Sequence, residues 1–168
     1  MLDIALEILY NVDSADSHKN RSTAMQIQSS ELPSLAFVGS KYDADRFNAV
    51  VNCNYRKHKP DNGLWASPMR NDGVTEWENF FYDWEWRRTK ASHNARQYVT
   101  VDDTARIFEI AEQSDRDYLD ATYSWDWQKI AEDYDAVYVY GDGVWIMRDG
   151  MWELPSIVFF NTRCFTVQ

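Results

Sequence analysis

The stretch AVYVYGDGVWIMRDGMWELPSIVFF, residues 136–160, decides the fold class. It holds three apolar runs, Ala136–Tyr140, Val144–Met147 and Ile157–Phe160, with Gly and Asp turn residues between them. Each run is too short to hold together as an isolated helix, so all three read as strands. Cys164–Val167 extends the pattern as an edge strand. The last third of the chain is therefore expected to be β.

Moving toward the N-terminus, Ser124–Asp133 reads as a helix carrying Trp127, Ile130 and Ala131. A second helix is expected from an Asp103 or Thr104 cap through about Glu112, with Ala105, Ile107, Phe108 and Ala111 as its apolar residues. Tyr98–Val101 reads as a strand. From Thr75 to Arg87, Trp77, Phe80, Phe81 and Trp84 recur at helical spacing. Thr75 is the candidate N-cap, and Glu76 and Glu78 complement the dipole of the first turn. Gly63–Pro68 and Leu35–Val38 are short strands between turn residues, and Asp43–Val51 is a turn of helix followed by a strand. Residues 2–11 read as a short helix, and the polar stretch Asp13–Ser30 as a loop or linker. The expected organisation is an N-terminal helix and linker over 1–34 and a single α+β domain over 35–168. Its core is a split, mainly antiparallel β structure with flanking helices.

Composition narrows the function. The chain has 168 residues, 45% of them hydrophobic and 15% aromatic, which is ample for a core. Its net charge of −10 is repelled by phosphate backbones, which argues against direct nucleic-acid binding and for a basic protein partner. Residues 102–135 concentrate that charge, with 11 Asp or Glu against Arg106, Arg116 and Lys129. Two basic islands, Arg56–Lys59 and Arg87–Arg96, serve either solubility or a phosphorylated ligand. Trp125 and Trp127 would face opposite sides of a helix, which leaves one of them for an interface. The cysteines, Cys53 and Cys164, lack metal-ligand spacing and read as free thiols in a reducing compartment. No signal peptide, membrane span or metal pattern is legible, so the expectation is a cytoplasmic protein without a membrane or metal. Walker, GxGxxG, HExxH and GxSxG motifs are absent.

What carries chemistry is an ordered set of short segments. They are Phe37-Val38-Gly39-Ser40, Gly63-Leu64-Trp65-Ala66-Ser67, the aromatic helix, and Met151-Trp152-Glu153-Leu154 leading into a strand. This order resembles the ADP-ribosyltransferase family, including its small phage-encoded, anti-CRISPR-like accessory members. The resemblance covers roughly residues 36–160. It implies an ADP-ribosyltransferase-like fold and transfer of ADP-ribose from NAD⁺ to a protein, as in a phage protein acting against a host defence. It sets Glu153 as the catalytic carboxylate and Gly39, Ser40, Trp65, Ser67 and Arg56 around NAD⁺, with Lys57 or Arg87 as alternatives to Arg56 at the pyrophosphate. Trp65 would be the wall on which nicotinamide stacks. Glu153 would stabilise the cationic, oxocarbenium-like ribose of the transition state.

The chain also departs from the family. Val38 stands where part of the family has a His, and valine cannot hydrogen-bond a ribose hydroxyl; Arg46 or Ser40 is left to compensate. Each motif residue has a plainer role as well. Trp65 fits a core strand, Glu153 an exposed strand start, and Gly39-Ser40 a strand-ending turn. A second function therefore stands beside the first: a non-catalytic acidic inhibitor whose 102–135 segment occupies the surface of a basic, nucleic-acid-handling protein. The target, the modified residue type and the oligomeric state are not legible in the sequence.

Overall fold

Val137, Val139, Val158 and Phe160 belong to one buried cluster, while Ala136, Tyr138, Ile157 and Phe159 belong to another. That strict alternation defines strands buried on both faces. The computed structural model describes residues 26–38, 41–84 and 96–168. The helix expected over 2–11, most of the linker, Gly39, Ser40 and residues 85–95 lie outside the described residues.

Eight strands are described: β1 (Gln26–Ile27), β2 (Leu35–Val38), β3 (Leu64–Pro68), β4 (Arg96–Val101), β5 (Ile107–Ile110), β6 (Ala136–Val139), β7 (Ser156–Phe159) and β8 (Phe165–Val167). Four α-helices join them: α1 (Glu76–Trp84), α2 (Gln113–Tyr123), α3 (Trp127–Asp133) and α4 (Asp142–Ile146). The strands form one sheet in the order β1-β5-β6-β7-β3-β2-β4-β8. All neighbours are antiparallel except β5 and β6, which run parallel because α2 and α3 carry the chain back between them. The architecture is thus α+β with a mostly antiparallel sheet, as the sequence led us to expect.

The sheet turns on β3. Its first residues pair with β7 (Leu64↔Phe159, Trp65↔Val158, Ala66↔Ile157), and its last two pair with β2 (Ala36↔Ser67, Leu35↔Pro68). In a flat sheet, β7 and β8 would stand roughly 19 Å apart, four strand spacings. Instead Phe159 and Phe165 touch, with ring centroids 4.8 Å apart. The β2-β4-β8 side therefore curls over one face of β7. Leu35, Leu64, Val99, Ile157, Phe159 and Phe165 fill the space so enclosed. The opposite face carries α2, α3 and their aromatic core, which includes Leu119, Trp127, Ile130 and Trp152.

Several expectations are corrected. Asp43–Val51 gives a single 3-10 turn at Ala44–Arg46 but no strand after it, only an isolated bridge from Val51 to Asp61, and Gln26–Ile27 of the expected linker pairs with β5 as strand β1. Residues 107–110 form strand β5, not a helix over 104–112. Ile107, Phe108 and Ile110 are fully buried, covered on both sides of an interior strand. Such a run lacks polar alternation and so mimics a helical apolar segment. The helix starts only at Gln113, where Asp115 accepts hydrogen bonds from the Ala111 and Glu112 amides (2.9 Å each). Val144–Met147 is not a strand. β6 and β7 pair directly with each other, which leaves no slot between them, and the run coils as α4 with Met147 buried and Trp145 exposed. Trp125 and Trp127 do not split between core and surface. Ser124 and Trp125 both adopt left-handed backbone, which takes Trp125 off the helix, and both indoles are buried.

The aromatic helix appears as expected within its described length. Thr75 Oγ1 accepts from the Glu78 amide (3.0 Å), and Glu78 returns a bond to the Thr75 amide (2.8 Å). The Glu78 carboxylate also meets Arg96 of β4 at 2.8 Å, tying helix to sheet. Trp77 is half-buried; the side chains of Phe81 and Trp84 lie outside the described residues.

Asp135 anchors the start of β6. It accepts from the backbone amide of Arg106 (3.0 Å), from its guanidinium (3.1 and 3.2 Å) and from Asn161 Nδ2 (2.9 Å). Burial pushes its carboxyl up, but these donors outweigh burial and hold it down at about 2. A depressed pKa stabilises the fold above the unfolded value and loses that contribution as pH falls through the folded one. Asp135→Asn is therefore expected to cost on the order of 2 kcal/mol near neutral pH. The gap between parent and variant should close between about pH 4 and pH 2 in urea titrations. A gap unchanged at the acid end would show that the carboxylate charge is not what matters.

Candidate functional site

Between α4 and β7 the chain runs from Met147 to Pro155 with no long regular element. Indoles and a basic loop hold it in place. Trp152 is buried and donates through Nε1 to the His58 carbonyl (2.7 Å). Trp127 donates likewise to the Lys57 carbonyl (3.0 Å), and Lys59 Nζ donates to the Met151 carbonyl (3.1 Å). A Cβ on Gly150 would stand 2.6 Å from His58 Cβ, so glycine is what lets the two segments meet. Arg116 clamps the far side, reaching Asp149 (2.6 Å) and the Ile146 carbonyl (2.6 Å). Burial pulls His58 below its ordinary pKa; Asp149 opposes this, and Arg116 and Lys57 add to it.

This arrangement opens a groove along the end of β3. Trp65 forms one wall, with its ring centroid 4.8 Å from Trp152 and its Nε1 donating to the Asn62 carbonyl (2.9 Å). The Lys59 ammonium sits 4.7 Å from the Trp65 ring. Burial lowers the pKa of Lys59, Arg56 adds to that effect, and Glu153 works against it. Trp77 closes the opposite side. Its amide donates to Ser67 Oγ (3.3 Å) and its Nε1 to Ser156 Oγ (2.9 Å), so α1 is fixed to β3 and β7 at once. Glu153 and Met151 lie at the mouth, exposed. The cleft encloses about 90 Å³. Past Glu153 it continues into a recess of about 250 Å³ lined by Phe80, Val144, Trp145 and Arg148. Trp145 is 71% exposed, and the Arg148 guanidinium stacks over it at 5.0 Å.

Trp65 also borders a second hollow, of about 400 Å³, formed by β2, the 41–48 loop and the approach to β3.

The motif residues of the sequence are placed unevenly. Trp65 and Glu153 line the same groove. Glu153 precedes β7 by three residues rather than opening it. Ser67 is buried, with its hydroxyl accepting from α1. Arg56 lies outside the groove and pairs with Asp61 (2.8 Å). Gly39 and Ser40 lie outside the described residues. The basic loop as a whole is spent internally: Lys57 pairs with Asp120 (2.9 Å), and Lys59 caps the Met151 carbonyl. Arg96 of the second basic island pairs with Glu78. Neither of these described segments presents a cluster of free cations to a phosphate.

Sequence reasoning missed Trp77, Trp152 and Lys59 as groove walls. Trp152 adjoins Glu153 in the chain, but only its indole bond to His58 shows which way it faces. Among the described residues no group of His, Cys, Asp and Glu is arranged to hold a metal ion, and no helix is long and apolar enough to cross a membrane. Compared with known proteins, no family model matches the chain, no curated protein matches it, and no solved structure matches its fold.

Proposed function

We propose that this protein is a mono-ADP-ribosyltransferase that takes NAD⁺ as substrate and modifies a basic host protein, as an anti-defence protein of a phage would. The observation that carries this reading is adjacency. The three strands that carry or follow the three motifs, β7, β3 and β2, are consecutive neighbours in the sheet, and Trp65 and Glu153 share one groove. Trp65 and Glu153, 88 residues apart in sequence, thereby line one groove.

On this reading nicotinamide stacks on Trp65, displacing the Lys59 ammonium from its ring. The glycosidic bond from ribose C1′ to the nicotinamide nitrogen breaks and its electron pair leaves with nicotinamide. A nucleophile on the target then bonds C1′ and gives up its proton to water. Glu153 supplies negative charge beside the transient cation. No cation among the described residues lies within ion-pair distance of Glu153, so its charge is available for that task.

The inhibitor reading keeps support of its own. Val38 brings no polar group to the first motif, and Asp102, Asp103, Glu112, Asp117 and Glu132 are exposed on the acidic half. The two separate in one experiment. The protein is incubated with labelled NAD⁺ and a bacterial lysate. Transfer of label to a lysate protein supports the transferase. Absence of label, together with stoichiometric capture of a basic protein that weakens with salt, replaces it with the inhibitor.

A further inference from the structure

Most cations among the described residues are accounted for. Arg56, Lys57, Arg70, Arg96, Arg106, Arg116 and Lys129 each pair with a carboxylate. Lys41 and Arg46 differ: both are exposed, neither pairs with a described carboxylate, and both stand on the rim of the 400 Å³ hollow beside Trp65. That volume falls within the roughly 300–1,000 Å³ of small-molecule sites, unlike the cleft at Glu153.

The hollow has the right partition of chemistry for a nucleotide. Phe37, Phe47, Leu64 and Trp65 give it aromatic and apolar walls. The 41–48 loop that forms its rim is anchored rather than loose. Tyr42 meets the Phe165 ring edge-on at 5.8 Å, Phe47 meets it at 6.3 Å, and the Tyr42 amide donates to Gln97 Oε1 (2.6 Å). Asp43 and Asn48 add oxygen acceptors, with one Asp43 oxygen engaged by the Asp45 amide (3.1 Å). Cations for phosphates, acceptors for ribose hydroxyls and rings for a base are therefore gathered around one cavity.

We propose that this hollow binds a nucleoside diphosphate, with Lys41 and Arg46 on its phosphates and the base against the aromatic wall. The ligand is either a free nucleotide or the ADP half of a dinucleotide, and the site stands whether or not Glu153 is catalytic. The test is calorimetric titration of the full chain with ADP, adenosine, inorganic phosphate and NAD⁺. ADP should bind at least about tenfold more tightly than adenosine, because charge-assisted bonds to phosphate supply the difference. The double variant Lys41→Ala/Arg46→Ala should lose about tenfold or more in ADP affinity and keep the parent circular dichroism spectrum. Raising salt on the parent should weaken ADP and leave adenosine unchanged, which tests the charge requirement without any variant. Competition between NAD⁺ and ADP identifies the dinucleotide as the source, and ADP binding indifferent to NAD⁺ identifies the free nucleotide. Equal binding of ADP and adenosine, binding of neither, or a salt-insensitive ADP affinity overturns the proposal. None of these results depends on label transfer, so this site and the transferase reading fail separately.

Discussion

Trp127→Ala is expected to be the most damaging single change to the fold, lowering the melting temperature by roughly 10 °C. Trp127 is fully buried. Its ring meets Trp125, Trp152 and Phe160 at centroid distances of 5.8, 6.5 and 6.2 Å. Truncating a buried Trp to Ala costs about 3–5 kcal/mol through lost transfer energy and the cavity left behind. In a chain of this length each kcal/mol moves the midpoint by about 2–4 °C. Polar losses add to this, because the Lys57 carbonyl would lose the Nε1 donor that pairs it (3.0 Å). Trp127→Phe separates the two contributions, since it keeps most of the ring volume and removes the donor. It should fall between parent and Ala variant in a thermal melt. A Trp127→Ala protein melting within a degree or two of the parent would show that the α3 core is not what stabilises the molecule.

Glu153→Gln is expected to lower NAD⁺-dependent label transfer by about 10²–10³, the usual consequence of removing one well-placed charge from a cationic transition state. Gln preserves shape and removes the charge. Glu153 is exposed and makes no ion pair with a described residue, so the variant should melt like the parent. The decisive comparison is nicotinamide release and label transfer under saturating NAD⁺, where a binding defect is masked and a chemical one is not. Equal rates for parent and variant would take Glu153 out of the mechanism.

How much was legible beforehand follows from what local sequence encodes. The Thr75 cap and the 77/80/81/84 stripe predict α1 because capping and helical spacing are properties of neighbouring residues. β2, β3, β6, β7 and β8 were likewise marked by short apolar runs between turn residues. Two segments were misread for opposite reasons. Ile107–Ile110 looks helical because an interior strand has no polar face to alternate with. Val144–Met147 looks like a strand, and only the direct pairing of β6 with β7 denies it a partner. For the site, Trp65 and Glu153 were named from short motifs, and the fold places them on one groove. The basic run at 56–59 suggested a phosphate site, yet its cations and carbonyls bind Asp61, Asp120, Met151, Trp127 and Trp152.

By itself, then, the sequence determined the α+β class, the acidic character and the positions of most strands and helices, because periodicity, capping and turn chemistry act over a few residues. The tertiary structure alone decided the strand order, the curl that brings β8 onto β7, the burial of both Trp125 and Trp127, and which cations stay unpaired. Those features depend on contacts between residues as far apart as His58 and Trp152 or Arg106 and Asp135. Such contacts are selected by the free energy of the whole packed core, and no short window of sequence carries that information.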